Sequence, residues 1–141
     1  MLRLRKIRGI SDGPVWHLRV LEIHGKDPVT PYLQEWSRFN REDFKRIIRV
    51  MERLSKYEKI LDEKHVKQSA TNKSIYEMRA HTGKARIMFF YVERCKPYNG
   101  RLIICTNVFE KGRGDQDKAF QRAETIFNHF NQEIKNLEDV D

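Results

Sequence analysis

Three runs of aromatic and β-branched residues near the middle of the chain constrain its fold more than any other feature. They occupy positions 75–80, 85–92 and 102–110, and short polar segments that contain glycine separate them. Runs of this composition and length are typical of β-strands, and glycine in a short connection favours a tight turn. The sequence therefore predicts three consecutive strands joined as antiparallel hairpins.

A further strand is expected near residues 15–24, and a short helix is expected to follow it. Two starts of that helix fit the sequence, because Asp27 precedes Pro28 and Thr30 precedes Pro31. Aspartate and threonine both cap helix N-termini, and proline is favoured at the first helical position. The sequence leaves the choice between the two starts open.

Two longer amphipathic helices are predicted, one before and one after the three-strand region. Apolar residues recur at helical spacing over positions 41–61, with Asn40 as the cap. The last helix is expected to begin after Asp115, and its apolar stripe must be buried against another surface. These elements predict an α+β, two-layer domain. An antiparallel sheet of about four strands would be packed on one face by two N-terminal helices and one C-terminal helix.

The length of the chain indicates one domain. Its 141 residues are enough for a single core. We divide it into a basic N-terminal arm, residues 1–13, and one domain over residues 14–141. The arm is expected to be loosely ordered or to pair at a sheet edge.

Cysteine usage and hydropathy suggest a cytoplasmic location. The apolar runs are all shorter than the roughly 18 residues of a membrane span, and the basic N-terminus lacks the apolar core of a secretory signal. Cys95 and Cys105 give no disulfide framework and are expected to be reduced thiols.

The net charge of +8 is concentrated in one part of the chain. Residues 64–113 contain eleven Lys and Arg residues against three Glu, whereas residues 114–141 have a net charge of −4. A basic region of this kind predicts a phosphate-rich partner, and a solvated basic face without a partner is the alternative. Aromatic residues between the cations favour RNA, whose unstacked bases lie on aromatic rings.

A single arginine interrupts the most apolar of the predicted strands. Arg86 falls on the same face as Met88 and Phe90, because side chains alternate between the faces of a strand. Burying an unpaired guanidinium is unfavourable, so Arg86 must meet a carboxylate or bind an anion. Pairing of Glu77 with Arg86 or with Arg79 would be structural, whereas a bound phosphate would be functional.

Several kinds of site are missing from the sequence. It contains neither a glycine-rich phosphate loop nor a dinucleotide-binding fingerprint, and no Cys or His residues have the spacing of a zinc site. We therefore expect no metal and no cofactor. Among the five histidines, only His81 lies in the basic hairpin, which makes it the one catalytic candidate of that type.

Four short motifs occur in a defined order along the chain. They are Asp27-Pro28-Val29 with Tyr32-Leu33, Ile75-Tyr76-Glu77-Met78-Arg79, Ala85-Arg86-Ile87-Met88-Phe89-Phe90 and Phe109-Glu110-Lys111. They are similar to Pro-Val-x-x-Phe-Leu, Leu-Tyr-Glu-Leu-Arg, Tyr-Arg-Ile-Phe-Phe-Phe and Phe-x-Lys-Lys of the RelE/ParE toxin superfamily. The chain resembles in particular the HigB-like, phage-related branch of its type II toxin–antitoxin systems. The resemblance covers about residues 14–137 and implies a RelE-like fold.

The resemblance also implies an activity, which is cleavage of mRNA in the ribosomal A site by an endoribonuclease that inhibits translation. The implied partners are mRNA on the ribosome and a cognate antitoxin with a helix-turn-helix. The catalytic candidates are Arg79, Arg86, Lys111, Arg113 and His81. Arg113 is included because Gly112 stands at the second lysine position of the family pattern.

Further cations of the basic region are candidates for RNA binding. They are Lys73, Lys84, Arg94, Lys96 and Arg101. Lys84 is also an alternative to His81 for proton transfer. Two other functions remain open at this point: a non-catalytic RNA- or protein-binding module of the same fold, and a ParE-like gyrase inhibitor.

Overall fold

The structure is a computed structural model that describes residues 2–60, 62–94, 98 and 100–134, and the backbone of residues 138–140. Cys95 and Lys96, which were named above, lie outside the described residues. The elements in chain order are β1 (Leu2–Lys6), β2 (His17–Ile23), α1 (Thr30–Phe39), α2 (Arg41–Lys56), β3 (Val66–Gln68), β4 (Tyr76–Arg79), β5 (Ala85–Val92), β6 (Leu102–Glu110), α3 (Gln116–Glu133) and β7 (Glu138–Val140).

Within this described part, the strands form one mixed sheet of seven strands in the order β3-β4-β5-β6-β2-β1-β7. The predicted hairpins β4–β5 and β5–β6 are antiparallel, but β2 runs parallel to β6 and β1 runs parallel to β7. The predicted four-stranded antiparallel sheet is therefore wrong. Parallel pairing requires a long crossover connection, and the turn residues near a strand carry no information about it.

The sequence pattern does not predict β3 or β7, and it leaves β1 open. β1 lies in the segment interpreted as a basic arm, which pairs in the sheet rather than being loosely ordered, and its Leu2 and Leu4 are fully buried. Its alternation of leucine with cations places both leucines on one face of the strand. β3 lies in a polar connector, and β7 pairs with β1 at the far edge of the sheet.

Helices pack on both faces of the sheet, so the prediction that they pack on one face is also wrong. The core under α1 and α2 includes Ile87 and Phe89 of β5. The core under α3 includes Met88 and Phe90 of the same strand. A strand buried on both faces appears in the sequence as a nearly continuous apolar run, which explains the composition of β5.

α2 and α3 begin at the capping residues that the sequence indicates. The side chains of Asn40 and Asp115 accept hydrogen bonds from backbone N–H groups in the first turns of α2 and α3, at 3.4 and 2.9 Å. α1 begins at Thr30, and the Asp27 carboxylate accepts from the N–H groups of Val29 and Thr30. The N-cap position is Val29, which forms no side-chain cap hydrogen bond, so neither of the two predicted caps is the N-cap of α1.

The end of α2 depends on contacts that are distant in sequence. The helix stops at Lys56 rather than near position 61. The indole Nε1 of Trp16 donates to the carbonyl oxygens of Tyr57 and Glu58, at 2.9 and 2.7 Å, and the Trp16 N–H donates to Ser55. These bonds fix the chain after α2 against the start of β2, which helical periodicity does not reveal.

Candidate functional site

A cleft of about 430 Å³ opens where β4, β5 and β6 meet the start of α3. Its lining residues are Glu63, Lys64, Arg79, His81, Arg86, Phe109, Lys111 and Gln116. Four of the five predicted catalytic residues therefore lie together, and they come from β4, the turn after it, β5 and the turn after β6. We call this surface the cationic cleft.

A β-bulge in β6 brings the end of that strand to the cationic cleft. The register between β5 and β6 shifts so that Thr106 is an extra residue, and its hydroxyl donates to the carbonyl of Met88 at 3.2 Å. An extra residue moves every later side chain to the other face of the sheet. Phe109 therefore lies opposite Arg86 on the α3 face, and the chain leads on to Lys111.

Glu77 is the buried carboxylate beside the cationic cleft, and its side chain is 0% exposed. Arg79 Nε donates to its Oε1 at 2.8 Å, and Gln116 Nε2 donates to its Oε2 at 3.1 Å. Arg86 Nε lies 3.8 Å from Oε1, an ion pair without a hydrogen bond. Both pairings that the sequence suggests for Glu77 therefore occur together, and α3 contributes a third partner.

Backbone carbonyls hold the Arg86 guanidinium in position. Its Nη1 donates to Gly83 and Ala85, at 3.0 and 2.9 Å, and its side chain is 4% exposed. Burial lowers the pKa of Arg86 below its ordinary value, and the nearby Glu77 carboxylate opposes that shift. Within the described residues, the Nη2 and Nε of Arg86 make no hydrogen bond, and Nε faces Glu77.

Asp43 of α2 holds the turn between β4 and β5. Its Oδ2 accepts from the N–H groups of Lys84 and Ala85, at 2.7 and 2.9 Å. Gly83 allows this approach, since a Cβ atom there would lie 1.7 Å from Asp43 Oδ1. The same turn carries His81, so Asp43 positions a catalytic candidate. The sequence does not reveal this role, because acidic residues are common in the first turn of any helix.

We expect Asp43→Ala to lower the free energy of unfolding by about 1.5–3 kcal/mol, the range for hydrogen bonds to a charged group. The physical reason is that the N–H of Ala85 is buried and would lose its acceptor. Urea unfolding of the variant and the wild type measures the loss. Glu42→Ala is the matched control, because Glu42 is an exposed carboxylate in the same turn. Equal losses in both variants would contradict the role of Asp43.

Among the other predicted residues, Arg113 and Lys84 do not line the cationic cleft. Arg113 lines a neighbouring cleft of about 510 Å³, because Gly112 turns the chain with a φ of +88°. Lys84 is exposed in the β4–β5 turn, one position before β5. Lys96 lies beyond the described part of the chain.

Lys73, Arg94 and Arg101 lie at the opposite end of the sheet. Lys73 precedes β4 and Arg94 follows β5, so the length of β5, about 20–25 Å, separates them from the β4–β5 turn. Arg101 donates to both carboxylate oxygens of Glu58, which raises its pKa, and stacks 4.0 Å above the ring of Trp16. The basic charge is therefore divided between the two ends of the sheet.

The described residues contain no group of three or more His, Cys, Asp or Glu side chains placed to hold a metal ion. None of their helices combines the length and apolar character needed to cross a membrane. Cys105 is a free thiol in the core, where burial raises its pKa.

Comparison with protein families places the chain in one of them. The family model of phage-derived protein Gp49-like (DUF891) matches residues 34–128, about two thirds of the chain and all of the cationic cleft. Neither the curated proteins nor the solved structures give a significant match. The match confirms the phage-related part of the resemblance, and the HigB-like branch stays a prediction.

Proposed function

Because the chain belongs to the Gp49-like family of phage-derived proteins, we propose that it is the toxin of a type II toxin–antitoxin system and a ribosome-dependent mRNA endoribonuclease. The phage-derived origin of the family agrees with the phage-related, HigB-like branch of RelE-type toxins that the four motifs resemble. The main support for the proposal is that four of the predicted catalytic residues, three cations and a histidine, converge in the cationic cleft. These residues are Arg79, His81, Arg86 and Lys111.

The proposed reaction is the attack of a ribose 2′-oxygen on the adjacent 3′-phosphate. The O2′–P bond forms while the P–O5′ bond breaks, which leaves a 2′,3′-cyclic phosphate and a 5′-hydroxyl. His81 accepts the proton of the 2′-hydroxyl, a role for which imidazole is well matched near neutral pH. Protonated Lys111 donates the proton that the leaving 5′-oxygen takes up.

Arg79 and Arg86 stabilise the negative charge that develops on phosphorus oxygens in the transition state. Cations already held in place at such a position lower the barrier without reorganising during the reaction. Glu77 and the carbonyl of Glu63 hold the Arg79 guanidinium, at 2.8 and 2.9 Å. The planar fork of arginine suits two oxygens of one phosphate better than a lysine does.

The proposal includes two macromolecular partners. The substrate is mRNA bound to the ribosome, and the neutralising partner is an antitoxin with a helix-turn-helix. A negatively charged antitoxin segment over the cationic cleft would be electrostatically complementary to it and would exclude RNA.

Induction of the protein in a bacterial host is expected to arrest growth and to create new mRNA 5′ ends within reading frames. Mapping those ends, with and without co-expression of the neighbouring gene, measures both cleavage and neutralisation. The Arg38→Ala variant should arrest growth and cleave mRNA like the wild type, because Arg38 is an exposed cation on α1 that does not line the cationic cleft.

Two outcomes would replace the proposed function. RNA binding without new 5′ ends would identify a non-catalytic RNA-binding module. Growth arrest through gyrase, with intact mRNA, would identify a ParE-like inhibitor.

A further inference from the structure

A second cleft, of about 310 Å³, lies between α2 and the β4–β5 turn. Its lining residues are Arg46, Arg49, Val50, Arg53, His65 and His81. His81 also lines the cationic cleft, so the two clefts meet at this side chain. We call the second cleft the arginine slot.

The three arginines project from one face of α2. Their spacing of three and four residues places them on successive turns of the helix. Arg46 Nη1 lies 3.5 Å from Asp43 Oδ1, and Arg53 Nη1 lies 4.0 Å from Asp62 Oδ2. Arg49 is exposed and forms no ion pair within the part of the chain that the structure describes. Two carboxylates therefore only partly offset the positive charge of the arginine slot.

Two imidazole rings form the opposite wall. The rings of His65 and His81 lie 5.5 Å apart with an angle of 48° between their planes. Asp62 holds the His65 ring, because its carboxylate accepts from Nδ1 at 2.9 Å, and this bond lowers the pKa of Asp62. His81 adopts a φ of +33°, a conformation that few residues other than glycine adopt. The turn thus places one ring at the junction of both clefts.

We propose that the arginine slot binds a nucleotide of single-stranded RNA that neighbours the nucleotide cleaved in the cationic cleft. Unstacked bases bind flat against imidazole rings and guanidinium planes, and phosphates bind arginine. The surface inside the arginine slot is almost entirely apolar and suits a stacked base, whereas the phosphate of that nucleotide would bind the exposed Arg49. This inference rests on the proposed function, since it extends the path of the same RNA strand.

The test measures RNA binding and cleavage on the same protein preparations. The probe is a fluorescein-labelled single-stranded RNA of about ten nucleotides, a length within the usual site sizes of such proteins, and anisotropy is recorded across a range of salt concentrations. The first variant combines Arg49→Ala and Arg53→Ala. Its control combines Lys45→Ala and Lys56→Ala, which remove two exposed cations of α2 outside the arginine slot.

The arginine variant is expected to reduce the slope of log affinity against log salt by about 0.7 for each phosphate that it no longer neutralises. His65→Leu is expected to weaken binding about 5- to 150-fold, the loss of one stacked base, with the slope unchanged. In ribosome-dependent cleavage, the arginine variant should raise KM and leave kcat unchanged. The lysine control should bind and cleave like the wild type.

Folded slot variants that bind RNA like the lysine control, while the wild type cleaves mRNA, would overturn the arginine slot alone. RNA binding that depends on the arginine slot in a protein that produces no new 5′ ends would support nucleotide binding in the slot and overturn the proposed catalysis.

Discussion

Arg86→Ala is expected to reduce ribosome-dependent mRNA cleavage by about 10²–10³-fold, the loss found when one donor to a developing anion is removed. Arg86 is the more buried of the two proposed phosphate-binding arginines, and the carbonyls of Gly83 and Ala85 hold it in position. Arg86→Lys keeps the charge but loses the planar fork, so it should restore only part of the activity. Single-turnover cleavage of ribosome-bound mRNA measures both variants.

The Arg86→Ala protein is expected to remain folded, because Glu77 keeps its hydrogen bonds with Arg79 and Gln116. Thermal unfolding of the same preparations checks this. Arg38→Ala is the control, since Arg38 is an exposed arginine of α1 that does not line the cationic cleft. A folded Arg86→Ala protein that cleaves at the wild-type rate would remove Arg86 from the proposed site.

The two hairpins are predicted correctly because the residues that specify them are close together in the sequence. The apolar runs and turn glycines of β4, β5 and β6 indicate two hairpins, and these are confirmed. β2 lies beside β6 because α1 and α2 carry the chain across the sheet to β3, from which β4 and β5 lead back to β6. No turn residue near these strands predicts such a long connection. The sequence contains one clue to helices on both faces, since β5 is apolar at consecutive positions rather than alternate ones.

In the candidate site, too, the sequence reveals some residues and hides others, according to whether their role depends on nearby or on distant parts of the chain. Arg86 is conspicuous in the sequence because it is a charge in an apolar strand, and Glu77 is its evident partner. Asp43 and Thr106 are inconspicuous, because their roles arise from a distant turn and from a one-residue shift in register. The position of Arg113 depends on the backbone conformation of Gly112, which turns the chain after β6. The spacing of residues in the sequence does not predict that conformation.

Glu77→Ala is expected to destabilise the protein by about 3–5 kcal/mol, the cost of leaving a buried charge without its partner. The two arginines beside Glu77 would respond differently. Arg79 is 24% exposed and can turn towards water, whereas Arg86 is 4% exposed and remains buried without a carboxylate. Since small domains are stable by only about 5–15 kcal/mol, urea unfolding should show a large loss.

A double variant distinguishes two causes of the lost stability, the unpaired charge of Arg86 and the loss of side-chain packing at position 77. Glu77→Leu combined with Arg86→Met removes both charges and keeps apolar volume, and such replacements are often neutral or stabilising. The double variant should therefore recover most of the stability that Glu77→Ala loses, while cleavage stays lost with Arg86. Glu63→Ala is the control for the single variant, because this exposed glutamate lines the same cleft and should change stability by less than about 0.5 kcal/mol. A Glu77→Ala protein as stable as the Glu63→Ala protein would show that the buried carboxylate does not compensate Arg86.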